Sequence, residues 1–206
     1  MNETFVPQRV LIASGNKGKI REFEFLLKPL QIKLATLSEF PSLVEPDETG
    51  FTFIENAKLK ASYYAIHTGE WSIADDSGLE IHLLDGKPGV LSARYGGFES
   101  TYQQKMQLVL DRLAGAPKHE RGAQFVSVIA LADPSGEIRL TAEGVCRGAI
   151  ADAPRGNGGF GYDPIFIPRG FGLTFGEMSD VEKRSLSHRG KASFEFIRKM
   201  SDFTGV

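Results

Sequence analysis

Asp75 and Asp76 stand at the end of the apolar run Trp71–Ala74 and are followed by Ser77 and Gly78. A carboxylate at a strand end can hold a divalent cation, accept a proton from water, or do both. Successive strand side chains point to opposite faces, so the two acids divide their work. One braces a turn and the other faces a crevice; the same residues also fit an Asx turn closed by a glycine. A second chemistry lies in two basic clusters: Lys17, Lys19 and Arg21 early in the chain, and Lys183, Arg184, His188, Arg189 and Lys191 late in it. With a net charge of -2 over 206 residues, they suit a small anion better than a polyanion or a membrane surface. A third signal is Arg155-Gly-Asn-Gly-Gly-Phe-Gly-Tyr-Asp-Pro164. Its glycines allow close approach of a ligand, and Phe160 and Tyr162 offer faces for a base. Asp163 accepts hydrogen bonds from a base edge or braces the loop.

These groups need elements to position them. Arg9–Ala13 reads as a strand running into Ser14-Gly15-Asn16-Lys17-Gly18-Lys19 and then a helix to about Leu27, with Phe23, Leu26 and Leu27 on its apolar side. A strand, a glycine-containing loop and a helix N-terminus form an anion site, although neither the Walker A nor the full dinucleotide spacing is present. A strand over Gln31–Thr36 and an acidic loop containing Glu45, Asp47 and Glu48 come next. Thr52 and Glu55 form a capping box that opens a helix to about His67. Its stripe is Phe53, Ala57, Ala61, Tyr64 and Ala65, with Asn56 on a different face.

Beyond the aspartates, Leu79–Leu84 reads as a separate strand, and Arg94 serves as a guanidinium clamp or a surface charge. Thr101–Leu113 is a helix. Phe125–Ala132 is apolar almost throughout, as in a strand buried on both faces, and Asp133-Pro-Ser-Gly136 turns it into Ile138–Cys146. Ile165–Ile167 is a short strand, Lys183 lies on a short helix, and Lys191–Phe203 closes the chain with Phe194, Ile197 and Met200 inward. His188 and Arg189 stand at that helix's start, an unusual place for cations unless an anion is present.

Composition bounds the class. The 206 residues fit one large domain or two closely joined lobes, the hydrophobic fraction of 41% is ordinary for a globular protein, and the strands and helices read above make it an α/β chain. The single cysteine, Cys146, excludes an internal disulfide and a cysteine-based zinc cluster. There is no signal-peptide h-region and no apolar run of about 18 residues, so a cytoplasmic protein is expected.

Five motifs in order resemble those of the inosine triphosphate pyrophosphatase family: Ser14–Lys19, Phe53–Ala57, Ala74–Gly78, Gly158–Pro164 and Ser187–Arg189. Pro88-Gly89 and Ser92-Ala93-Arg94 fit as well, and together they run from Val10 to Lys191. The resemblance implies a long mixed sheet flanked by helices in two lobes with the active-site cleft between them, a homodimer, and hydrolysis of ITP, dITP and XTP to monophosphate and pyrophosphate. It implies Mg²⁺ held by Glu48 and Asp76, with Asp76 also activating the attacking water. Ser14, Gly15, Asn16, Lys17, Gly18, Lys19 and Lys183 then face the phosphates, and Ser77 also binds the substrate. Phe160, Gly161, Tyr162 and Asp163 hold the base, and His188 with Arg189 reads its 6-oxo edge. The purine nucleoside triphosphate is the expected partner, with no nucleic acid and no membrane. A pyrophosphatase for modified pyrimidine or methylated nucleotides, or a non-catalytic nucleotide sensor, would share the phosphate cradle.

Overall fold

The computed structural model describes residues 7–204, except the side chains of Leu26, Leu30, Phe203 and Thr204. The placement of Leu26 on an apolar face therefore lies outside the described residues. Six strands form one mixed sheet in the order β2-β1-β3-β4-β5-β6: β1 Arg9–Ile12, β2 Lys33–Thr36, β3 Trp71–Ile81, β4 Gly122–Ala132, β5 Ile138–Ile150 and β6 Phe166–Pro168. β1 pairs in parallel with β2 and β3, and β6 pairs antiparallel with β5. Five helices accompany them: α1 Lys17–Leu27, α2 Phe53–Thr68, α3 Tyr102–Arg112, α4 Asp180–Leu186 and α5 His188–Thr204. None of them is long and apolar enough to cross a membrane.

The described residues fall into two compact units. The first holds the chain up to Asp76, Ser127–Gly144 and the residues from Gly190 on; the second holds Ser77–Val126 and Val145–Arg189. The first core joins Val10, Ile12 and Ile73 to Phe23 and Leu27 of α1 and to Ala192, Phe196 and Met200 of α5. The second joins Leu79, Ile81, Phe125, Cys146 and Ile150 to Val109 and Leu113 of α3 and to Tyr162, Phe166 and Phe175. Cys146 is thus a buried core thiol.

Local chemistry sets the helix limits. The Thr52–Glu55 capping box forms as expected, and Gly69 ends α2 at φ 68°. Thr101, with Gln104, caps α3 in the same way. Two expectations are corrected. The aspartates do not end a strand, because β3 runs unbroken through Asp75-Asp76-Ser77-Gly78 to Ile81. β1 pairs with β3 only as far as Ile73; with β4 as the other neighbour of β3 in the sheet, pairing overrides the turn propensity of those residues. Phe194 does not point inward: it is 73% exposed, while Phe196 is fully buried. The buried face of α5 follows Ala192, Phe196 and Met200, each four residues apart.

Candidate active site

In the first unit, parallel pairing places Ile12 beside Ile73, and the Ala13 amide donates to the Ile73 carbonyl. The loop after β1 therefore emerges next to Asp75. Asn16 caps α1, its Oδ1 accepting from the Gly18 and Lys19 amides at 2.8 and 3.2 Å. The Ser14 hydroxyl in turn accepts from the Asn16 amide at 3.2 Å. Gly15 lies in the exposed loop, where an added Cβ would meet nothing within 4 Å, and Lys17 is also exposed. Lys19 turns back to the sheet, its Nζ 2.8 Å from Asp75 Oδ2. Ser127 of β4 donates to Asp75 Oδ1 at 2.8 Å.

Strand alternation sends Asp76 to the other face, against α2. Its Oδ1 accepts from Lys60 Nζ at 3.2 Å and its Oδ2 from Asn56 Nδ2 at 3.3 Å. Lys60 Nζ also lies 2.5 Å from Glu48 Oε1. One buried ammonium thus gathers two carboxylates. Burial pushes the Asp76 carboxyl above its ordinary range; Lys60 opposes this, and Glu48 and Asp75 reinforce it. For Lys60, burial works against the charge, but Asp76 and Glu48 more than offset it and the ammonium is held charged.

Sequence reasoning misses Lys60. The buried stripe of α2 is Phe53, Asn56, Ala57, Lys60, Ala61, Tyr64 and Ala65. Asn56, expected on a different face, is buried with that stripe, and it and Lys60 are polar residues at core positions, which is the signal the sequence offers. Ser127 gives no signal, being one hydroxyl in an apolar strand. Glu55 is taken up by the capping box, its carboxylate accepting from the Phe51 and Thr52 amides.

The second unit gathers Phe160, Asp163, Lys183 and Arg189. Asp163 Oδ2 accepts from the Phe160 amide at 2.6 Å and from Lys183 Nζ at 2.7 Å. A Cβ on Gly159 would stand 2.1 Å from that oxygen, so glycine is required for the carboxylate to close the loop. Lys183 Nζ lies 4.5 Å and Arg189 Cζ 5.5 Å from the centroid of the Phe160 ring. Arg189, only 2% exposed, donates to Ser77 Oγ at 2.9 Å. Gly161 follows Phe160 at φ 67°.

One placement differs from expectation. Tyr162 does not offer its ring to a ligand: it is 3% exposed within the core, and its hydroxyl donates to the Ser92 carbonyl at 3.0 Å. Asp163 braces the loop and is 2% exposed. Lys183 is grouped with Phe160 and Asp163. His188 is buried and lies flat on Phe125, with ring centroids 4.6 Å apart.

The Ham1 family model matches residues 10–199. This chain belongs to the Ham1 family. A dITP/XTP pyrophosphatase from Thermus thermophilus is 50% identical over 194 residues, 94% of this chain and 92% of that one. A dITP/XTP pyrophosphatase from Synechocystis is 46% identical over 190 residues, 92% and 94% of the two chains. Among solved structures, a HAM1 protein from Coxiella burnetii superposes with a TM-score of 0.86 at 41% identity, covering 94% of this chain and 98% of that one. In this Ham1 chain, both clusters fall within the matched residues.

Among the described residues, no group of three or more His, Cys, Asp or Glu side chains is arranged to hold a metal ion alone. Glu48 and Asp76 nonetheless converge on one cationic atom, Lys60 Nζ, and their oxygens are hard donors. Two carboxylates fit Mg²⁺, which typically takes one or two protein carboxylates and completes its shell with water and substrate phosphate.

Proposed function

We propose that this protein hydrolyses non-canonical purine nucleoside triphosphates, ITP, dITP and XTP, to the monophosphate and pyrophosphate. The observation that carries the reading is the Glu48–Lys60–Asp76 cluster standing in the same unit as the lysine-bearing loop at the N-terminus of α1. Such chemistry rests on positioning and charge neutralisation. Lys17 and Lys19 attract and orient the triphosphate. Asp76 holds the attacking water and takes its proton; a carboxyl raised by burial is a better base near neutral pH than an ordinary one. Lys60 keeps Asp76 and Glu48 together by offsetting their repulsion. Asn56 fixes the second oxygen of Asp76, so the first is aimed.

Mg²⁺ is the expected cofactor, held by Glu48 and Asp76, and it would neutralise phosphate charge when bound. Phe160 supplies the ring for the base, with Lys183 and Arg189 beside it as donors toward a 6-oxo group. Adenine would present an amino donor to those donors, and the unmatched pair costs roughly 1–3 kcal/mol. The enzyme acts in the cytoplasm as a homodimer on this reading.

The test is pyrophosphate release across ITP, dITP, XTP, GTP, ATP and a methylated pyrimidine triphosphate, with and without Mg²⁺. Release from ITP and XTP well above ATP supports the proposal. Preference for the pyrimidine overturns the substrate class, and absence of release from any nucleotide overturns the enzyme.

A further inference from the structure

Tyr102, at the start of α3, belongs to none of the motifs described above. Its ring packs edge-on against Tyr162, with centroids 5.7 Å apart and planes at 89°. It stands directly against Gly161: a Cβ built there would lie 3.5 Å from Tyr102 Cε1. Lys105, buried on the next turn of α3, sets its ammonium 4.8 Å from the Tyr102 ring centroid and donates to the Ala93 carbonyl at 2.6 Å. The ring is therefore clamped from several sides, yet it remains 37% exposed.

The polar tip of Tyr102 is distinct from those of its neighbours. The hydroxyl of Tyr162 is hydrogen-bonded to Ser92, and that of Tyr95 to Arg112. The Tyr102 hydroxyl has no hydrogen-bond partner among the described residues. After burial, the charges that act on its ionisation are Asp163, which raises it, and Arg189, which lowers it. The tip therefore lies in the field of the Phe160–Asp163–Arg189 cluster. A clamped ring with an available hydroxyl is pre-organised to hydrogen-bond a ligand at small entropic cost.

We infer that Tyr102 is a specificity-determining residue of this site, its hydroxyl donating a hydrogen bond to an oxo group of the purine held beside Phe160. The inference rests on the function proposed above. An oxo group accepts from a phenol that is positioned to donate. Adenine has no oxo group, so it gains nothing from the contact.

The experiment measures kcat/KM for ITP, XTP and ATP on wild type, Tyr102→Phe and Tyr102→Leu, with thermal melts of all three. Tyr102→Phe keeps the ring against Gly161 and Tyr162 and removes only the hydroxyl. One net hydrogen bond corresponds to about 2- to 13-fold in rate. Tyr102→Phe is expected to lower kcat/KM for ITP or XTP by that factor, leave ATP within about two-fold, and melt like wild type. An equal fall for all three nucleotides, or no change for any, overturns the assignment. If Tyr102→Leu lowers all three but Tyr102→Phe changes none, the ring supports Gly161 and the hydroxyl reads nothing, which also overturns it. A wild type without preference for ITP and XTP over ATP overturns the proposed function itself. A wild type with that preference and an unchanged Tyr102→Phe profile overturns only the role of Tyr102.

Discussion

Replacing Asp76 by asparagine separates the chemistry of this site from its architecture. The carboxylate has two acceptor oxygens, one facing Lys60 Nζ at 3.2 Å and the other Asn56 Nδ2 at 3.3 Å. An amide offers one oxygen and one NH₂, so a donor must face a donor on one side. An unmatched buried donor costs about 1–3 kcal/mol. At roughly 2–4 °C per kcal/mol for a chain of this size, the melt should fall by about 2–12 °C. Two effects hold the loss toward the low end. Lys60 keeps Glu48 as a partner, and the repulsion of Asp76 with Glu48 and Asp75 disappears. Because its folded-state carboxyl is raised, Asp76 adds stability in its protonated form at low pH and loses that contribution as pH rises through the raised value. The neutral amide therefore sacrifices little charge-based stability near neutrality. Turnover is different: loss of a positioned base removes roughly 10²–10⁴-fold, about 2.7–5.4 kcal/mol of barrier. Pyrophosphate release at saturating ITP, beside a melt and an ITP titration, reads the three quantities separately. If Asp76→Asn stays within a few-fold of wild type while Asp75→Asn is inactive, the base is the acid on the Lys19 face and the mechanism above is wrong.

Lys60→Met keeps volume but leaves Glu48 and Asp76 without their shared ammonium. Turnover should fall at least about ten-fold, and the acid limb of the kcat/KM profile should move to higher pH, because the interaction holding the Asp76 carboxyl down is gone; a parallel drop without movement argues against coupling. Arg189→Met removes a donor at the Phe160 ring while filling the buried site, and is expected to narrow the ITP/ATP ratio of kcat/KM by roughly 5- to 150-fold. An equal loss for ITP, GTP and ATP would assign Arg189 to the phosphates instead. Gly156→Ala places a Cβ 2.1 Å from the Gly176 carbonyl oxygen at φ 75°, so stability should fall by about 2 kcal/mol or more. An unchanged melt would mean that the loop leading to Phe160 is freer than its packing indicates.

Sequence alone determined what depends on local pattern. The Thr52 cap is readable because capping is decided by residues three apart. The opposite orientations of Asp75 and Asp76 follow from the two-residue period of a strand, and the anion loop follows from a strand meeting a helix N-terminus. Tertiary structure decided the rest. Whether Asp75-Asp76-Ser77-Gly78 turns or continues depends on the strands beside it, which local propensity does not encode. The inward face of α5 is misread at Phe194 because two aromatic residues two positions apart compete, and only the packed core selects Phe196. Tyr162 reads as a ligand contact from its glycine-rich setting, yet burial makes it core, and of the two roles open to Asp163 the fold selects the loop brace. Lys60 acquires meaning only when Glu48 and Asp76, separated from it by 12 and 16 positions, come within hydrogen-bond reach. A long-range electrostatic contact has no local signature beyond a charge in an apolar stripe, so the fold had to bring it together.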